Sequence, residues 1–174
     1  MKELERTFLA RYVPDLSGCA SREVIDIYVP KSREHPTLRI RKNGDRFEIT
    51  KKEPASENPA VMNEETVSIT SEEFEALSHT EGKRLHKTRY FYKKDGLDAQ
   101  IGIHVEDLEG LVLIDFEFEN EDAMNAFSPP DFCLAEVTED EFLAGGMLCG
   151  KRYEEIEPRL SEKGYKKLAV LGPA

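Results

Sequence analysis

The chain is poor in cysteine: Cys19, Cys133 and Cys149 are the only three in 174 residues. Their number is odd, they lie far apart, and no CxxC or Cys/His ligand spacing accompanies them. Neither a disulfide framework nor a zinc site is thereby suggested, and reduced thiols in a cytoplasmic protein are expected. Long apolar runs are also missing. No stretch approaches the roughly 20 residues that a bilayer-spanning helix needs, and Met1-Lys2-Glu3-Leu4-Glu5-Arg6 has no signal-peptide core. Basic charge is in deficit, with 24 Lys and Arg against 35 Asp and Glu, a net charge of −11. Neither nucleic acid nor an anionic membrane is therefore the expected partner. A small anion is not excluded, because a local basic cluster can outweigh a global acidic excess. There is no internal repeat, low-complexity tract or linker, so 1–174 reads as one domain, long enough for a sizeable core. No GxSxG surrounds Ser17, Ser21 or Ser128, so no serine nucleophile is indicated.

What is present is alternation. Glu3-Leu4-Glu5, Leu38-Arg39-Ile40-Arg41, Glu48-Ile49-Thr50-Lys51-Lys52, Lys87-Thr88-Arg89 and Asp115-Phe116-Glu117 each interleave charged and mostly apolar residues. Successive strand residues point to opposite faces, so each stretch sorts its charges to one face. Strands are expected near 2–10, 23–29, 37–43, 46–53, 62–69, 84–94, 97–105, 111–119 and 133–138. Asn43-Gly44-Asp45 and Asp95-Gly96 are hairpin signals, and 53–61 reads as a loop. Helices are expected from Thr70 or Ser71 to about Ser78, over 120–127, and over 151–163, where Pro158 disturbs the interior. Eight or nine antiparallel strands with few flanking helices argue an α+β, mainly β fold, a barrel rather than a doubly wound sheet.

Parity assigns Glu3, Glu5, Thr7, Arg39, Arg41, Glu48, Thr50, Lys52, Asn63, Glu65, Lys87, Arg89, His104, Glu106, Asp115 and Glu117 to a charged inner face. Leu4, Phe8, Leu38, Ile40, Phe47, Ile49, Ile103, Val105, Ile114, Phe116 and Phe118 take the other face. A dry interior could not hold so many ions, so it must be wet or filled by ligand and metal. Arg and Lys suit phosphate oxygens. Clustered carboxylates suit Mg²⁺ or Mn²⁺. Together they meet the needs of metal-dependent chemistry on a polyphosphate.

These segments resemble the motifs of the CYTH superfamily, the triphosphate tunnel metalloenzymes, which includes class IV adenylate cyclases and thiamine triphosphatases. Glu3-Leu4-Glu5 is similar to its ExExK signature, Leu38–Arg41 to LRxR, Ile49–Lys52 to LTxK, and Lys87-Thr88-Arg89 to KxR. Val105–Leu111 resembles an acidic-turn-GL segment, and Asp115-Phe116-Glu117 an ExE strand. The resemblance implies an eight-stranded antiparallel closed β-barrel, a tunnel that hydrolyses a triphosphate, inorganic triphosphate before nucleoside or thiamine triphosphate, or that cyclises ATP. By position, Arg39, Arg41, Lys52, Lys87 and Arg89 would bind phosphates. Glu3, Glu5, Asp115 and Glu117 would hold Mg²⁺ or Mn²⁺ or orient the attacking water, with Glu5, Glu117 and Lys52 catalytic. Glu65, Glu106 and His104 would support them. A homodimer is left open.

The chain departs from the family at Thr7, which replaces the signature Lys, at Asn63, which replaces an Arg, and at Asp115, which shortens a Glu. A polyphosphate-binding module without turnover is the competing reading. Gly145–Lys151 matches the start of a P-loop, but Arg152 stands where Ser or Thr is needed, so a flexible turn is expected there. A structural, hydrogen-bonded role competes for His104, and packing for Tyr90, Phe91 and Tyr92.

Overall fold

The computed structural model describes residues 4–54 and 62–169. All nine strands expected from the alternation are present: β1 (Glu5–Ala10), β2 (Ala20–Val29), β3 (Leu38–Asn43), β4 (Arg46–Pro54), β5 (Met62–Ile69), β6 (Lys83–Lys94), β7 (Leu97–His104), β8 (Val112–Glu117) and β9 (Cys133–Glu136). Helices are few: α1 (Ser71–Ser78), α2 (Glu121–Ala126), the single turn α3 (Gly145–Leu148) and α4 (Tyr153–Glu162). The fold is mainly antiparallel β.

The chain divides into two compact units. The first draws on Met1–Arg22, Lys87–Asp140 and Lys151–Ala174, the second on Glu23–His86 and Glu141–Gly150. In the first, the strand order is β6-β7-β8-β1-β9, with Tyr90↔Ile101, Ile101↔Ile114 and Phe8↔Ile114 in register. These rungs put Phe8, Ile101, Ile103, Ile114 and Phe116 into one buried cluster with Tyr92 and Phe132. Full burial of each such side chain is worth about 1.5–3 kcal/mol. Tyr92 is thus a packing residue. The β6–β7 hairpin turns at Asp95 and Gly96, both with positive φ (56° and 75°), the backbone that a two-residue primed turn requires.

In the second unit the order is β5-β4-β3-β2, with the first residues of β6. Ile27, Ile40 and Phe74 are buried together, with Phe47, Ile49, Ile69 and Leu77 packed on them. Phe74 and Leu77 come from α1, which therefore covers the apolar face. Its start is fixed by a capping box: the Glu73 amide donates to Thr70 Oγ1 (3.1 Å) and the Thr70 amide to Glu73 Oε2 (2.7 Å).

α4 runs through Pro158 to Glu162. The lost hydrogen bond is offset by burial of Tyr153, Ile156 and Leu160 along one stripe. Gly145–Leu148 is not the flexible turn expected. It is a helical turn in which a Cβ on Gly145 would lie 2.6 Å from Tyr28 Oη, and one on Gly146 2.5 Å from His35 Cδ2. The glycines are there for that close approach.

Candidate active site

The second unit carries a ladder of polar residues on the face opposite Ile27, Ile40 and Ile49. Its rungs follow from the register: Tyr28, Arg39, Thr50 and Thr66 form one, and Asp26, Arg41, Glu48 and Ser68 the next. Lys52 stands opposite Glu64 one rung outward, its Nζ 3.4 Å from Glu64 Oε2. A cavity of about 550 Å³ opens over this ladder, lined by Tyr28, Arg39, Thr50, Lys52 and Glu64, with Gly145 and Gly146 on another side.

The charges on these rungs are unequally balanced. Arg41 is gripped by Asp26 in a bidentate pair, Nε–Oδ1 2.6 Å and Nη2–Oδ2 2.7 Å, and Asp26 is 1% exposed. Burial works to lower the Arg41 pKa, but the hydrogen bond and charge of Asp26 outweigh it and hold the guanidinium above its ordinary value. Arg39, by contrast, has no carboxylate on its rung. Its buried Nε has no hydrogen-bond partner among the described residues. A buried donor left unmade costs free energy until something accepts from it, and the cavity is where an anion could do so. The Tyr28 phenol beside it is pushed up to about 12, first by burial and then by the Asp26 charge, so it remains a neutral O–H at physiological pH.

The first unit holds the acids. Glu5 and Glu117 are direct register partners, as are Thr7 and Asp115, and Gln100 stands on the other side of Asp115. The Thr7 hydroxyl lies 2.8 Å from Asp115 Oδ1 and 3.3 Å from Glu5 Oε1, and Gln100 Nε2 donates to Glu117 Oε1 at 2.6 Å. A cavity of about 420 Å³ is lined by Asp98, Gln100, Asp115, Glu117 and Glu119. On β6 of the same unit, Lys87 is opposite His104 and Arg89 is opposite Gly102. The Lys87 side chain runs over Gly102, whose missing Cβ would sit 3.3 Å from Lys87 Cδ.

Several sequence expectations need correction. Glu65 is not on the charged face: it pairs with Lys51, and Glu64 takes the inner position opposite Lys52. The reason is register, since Ile49↔Val67 and Phe47↔Ile69 commit the odd-numbered residues of β5 to the apolar side. Glu106 is not a strand residue. β7 ends at His104, and Glu106 sits exposed in a 3₁₀ turn with φ 55°. His104 is buried, 1% exposed, with Nδ1 3.1 Å from the Leu111 carbonyl oxygen. Glu3 lies outside the described residues. Asp26 and Tyr28 were missed, although Ile25-Asp26-Ile27-Tyr28 shows the same alternation that identified the other strands.

Oxygen donors of this kind suit a hard divalent cation. Two carboxylates directly across a rung, Glu5 and Glu117, repel one another unless a positive charge is near. Among the described residues, no three His, Cys, Asp or Glu side chains already form a cage. Water and substrate oxygens would have to complete the coordination of a cation held by Glu5, Asp115 and Glu117, as is usual for Mg²⁺.

No helix of the described residues is long and apolar enough to cross a membrane. The chain is 36% identical to an inorganic triphosphatase of Nitrosomonas europaea over 145 residues, spanning 81% of this chain and 92% of that protein. A crystal structure of the inorganic triphosphatase NE1496 matches with a TM-score of 0.67 at 32% identity, covering 87% of this chain and 96% of the other. A second crystal structure of NE1496, described as a hypothetical protein, matches with a TM-score of 0.66 at 30% identity over 86% and 99% of the two chains. The CYTH domain family model matches residues 2–127. With sequence, solved structures and family model in agreement, the chain belongs to the CYTH domain family.

Proposed function

We propose that this protein hydrolyses inorganic triphosphate to diphosphate and phosphate, with Mg²⁺ or Mn²⁺ as cofactor. The observation that carries the reading is the 36% identity to an inorganic triphosphatase across nearly the whole of that protein. CYTH triphosphatases are metal-dependent. The cation supplies charge neutralisation on the phosphate oxygens and acidifies a bound water.

The chain's own residues divide the remaining work. Arg39, Lys52, Lys87 and Arg89 bind and orient the phosphates, while Arg41 stands on the same face already paired with Asp26. Arg39 has the strongest support, because its buried Nε lacks an acceptor among the described residues and a phosphate oxygen would satisfy it. Lys52, exposed on the cavity wall and 3.4 Å from Glu64, is assigned to the leaving diphosphate. There a positive charge offsets the charge that builds as the P–O bond breaks. Glu5, Asp115 and Glu117 hold the cation and orient the water. β2 and β6 each contribute residues to both units, which supports a reading of 1–174 as a single domain. Three free thiols, two of them buried, favour a reducing, cytoplasmic setting.

One specific observation favours a second reading, a polyphosphate-binding module. Thr7 offers only a hydroxyl to Glu5 and Asp115 where the signature motif offers a cation. Incubation with tripolyphosphate, ATP and thiamine triphosphate under Mg²⁺ and Mn²⁺, with product identification, separates these. Phosphate and diphosphate from tripolyphosphate, lost in Glu5→Gln and Glu117→Gln, are expected. Cyclic AMP from ATP would replace hydrolysis by cyclisation. Tight binding without any product would establish the module.

A further inference from the structure

Asp26 appears in no sequence motif of the site, yet it makes a buried, bidentate ion pair in the second unit. It accepts both Nε and Nη2 of Arg41, at 2.6 and 2.7 Å, from a position 1% exposed. That edge of a guanidinium is one of those that would grip a phosphate in bidentate fashion. Glu48 lies on the other side of Arg41 in the same rung. One rung away, Arg39 has no acid beside it. Two arginines two residues apart on one strand thus differ sharply: one is open to an anion and the other already holds one.

We infer that Asp26 is an internal rival of the phosphate for Arg41 and sets the protein's affinity for its anionic ligand. The inference rests on the triphosphate reading of the site only for the identity of that anion. Its physical content is a competition. A carboxylate built into β2 neutralises Arg41 before any ligand arrives, so the ligand gains little from that residue unless it displaces Asp26. A permanently occupied arginine keeps the free site from accumulating unpaired positive charge, whose burial is costly. It also keeps diphosphate from binding too tightly to leave. Arg39 supplies the grip and Asp26 limits it.

The test is the affinity for tripolyphosphate in EDTA, measured by calorimetry, so that neither metal nor turnover contributes. Asp26→Asn keeps the shape of the side chain and removes its charge. The dissociation constant is expected to fall about tenfold, equivalent to about 1.4 kcal/mol. KM for tripolyphosphate in the presence of Mg²⁺ should fall with it, while kcat does not rise. A merely structural Asp26 would lower stability and weaken binding instead, and that result overturns the inference, as does unchanged affinity.

Asp26→Asn leaves Arg41 facing Glu48 on its rung, so a second variant guards against misfolding. Asp26→Asn/Arg41→Gln replaces one neutral pair by another. It is expected to bind tripolyphosphate within threefold of the wild type. A loss of tenfold or more would mean that Arg41 grips phosphate fully despite Asp26, and would overturn the proposal. Failure of wild type to release phosphate from tripolyphosphate with metal would sink the hydrolase reading alone, because these affinity ratios do not depend on turnover.

Discussion

Arg39→Gln tests the unit 2 cavity most directly, because the structure makes opposite demands on activity and stability. The guanidinium is half-buried on β3, no acid stands on its rung, and Nε has no acceptor among the described residues. A hydrogen bond to a charged group is worth about 1.5–3 kcal/mol. A guanidinium that grips phosphate with two N–H groups should therefore lose about 3–4 kcal/mol of transition-state stabilisation on truncation, roughly 100- to 1000-fold in kcat/KM. Stability should behave differently. An unsatisfied buried donor costs about 1–3 kcal/mol, and Gln removes the charge while keeping part of the stem. The melting temperature of the ligand-free variant should stay within about 3 °C of wild type, because 1 kcal/mol moves a chain of this size by about 2–4 °C. Tripolyphosphate should stabilise wild type and have little effect on the variant. Malachite-green phosphate release and thermal melting with and without tripolyphosphate read both quantities. Activity within threefold of wild type would refute the reasoning. So would a drop in melting temperature large enough to explain the loss, since Arg39 would then be a structural residue.

Two further outcomes follow from geometry. Gly102→Val places branched carbons where Lys87 now lies, starting from a Cβ 3.3 Å from Lys87 Cδ. Displacement of the ammonium should raise KM for tripolyphosphate about tenfold, and Lys87→Ala in the same background should add little further loss if both act through one group. Glu136 is held below the usual carboxylate range, chiefly by its hydrogen bond from Arg6. Because the folded-state pKa is depressed, its stabilising contribution is present above the unfolded carboxylate pKa and fades as pH falls through the folded value. Glu136→Gln should therefore cost stability at pH 7, by about 0.2–1 kcal/mol given the pair's partial exposure, with the difference shrinking in acid melts.

Period-two alternation proved a reliable guide to the strands because charge and grease are so cleanly interleaved here. Each expected strand is present, and both hairpin signals, at Asn43-Gly44-Asp45 and Asp95-Gly96, join the strands they flank. The errors arose where alternation had no anchor. Glu64 and Glu65 are adjacent acids, and only the pairing of Val67 with Ile49 shows which of them faces inward. Glu106 continues the alternation of β7 on paper, but the backbone turns at Val105 and leaves the strand.

The sequence by itself determined which residues could become strands, which face of each would be polar, and the motif order that marks the family, because these depend on local periodicity and spacing. Tertiary structure decided how the charges are spent. Arg39 and Arg41 are equivalent in a string of letters and unequal in space, since β2 brings Asp26 to one and Tyr28 to the other. Likewise Thr7 reads as a lost lysine, whereas strand pairing makes it a hydroxyl bridge between Glu5 and Asp115. Partners across a sheet are set by register among segments far apart in the chain, and no local pattern encodes them.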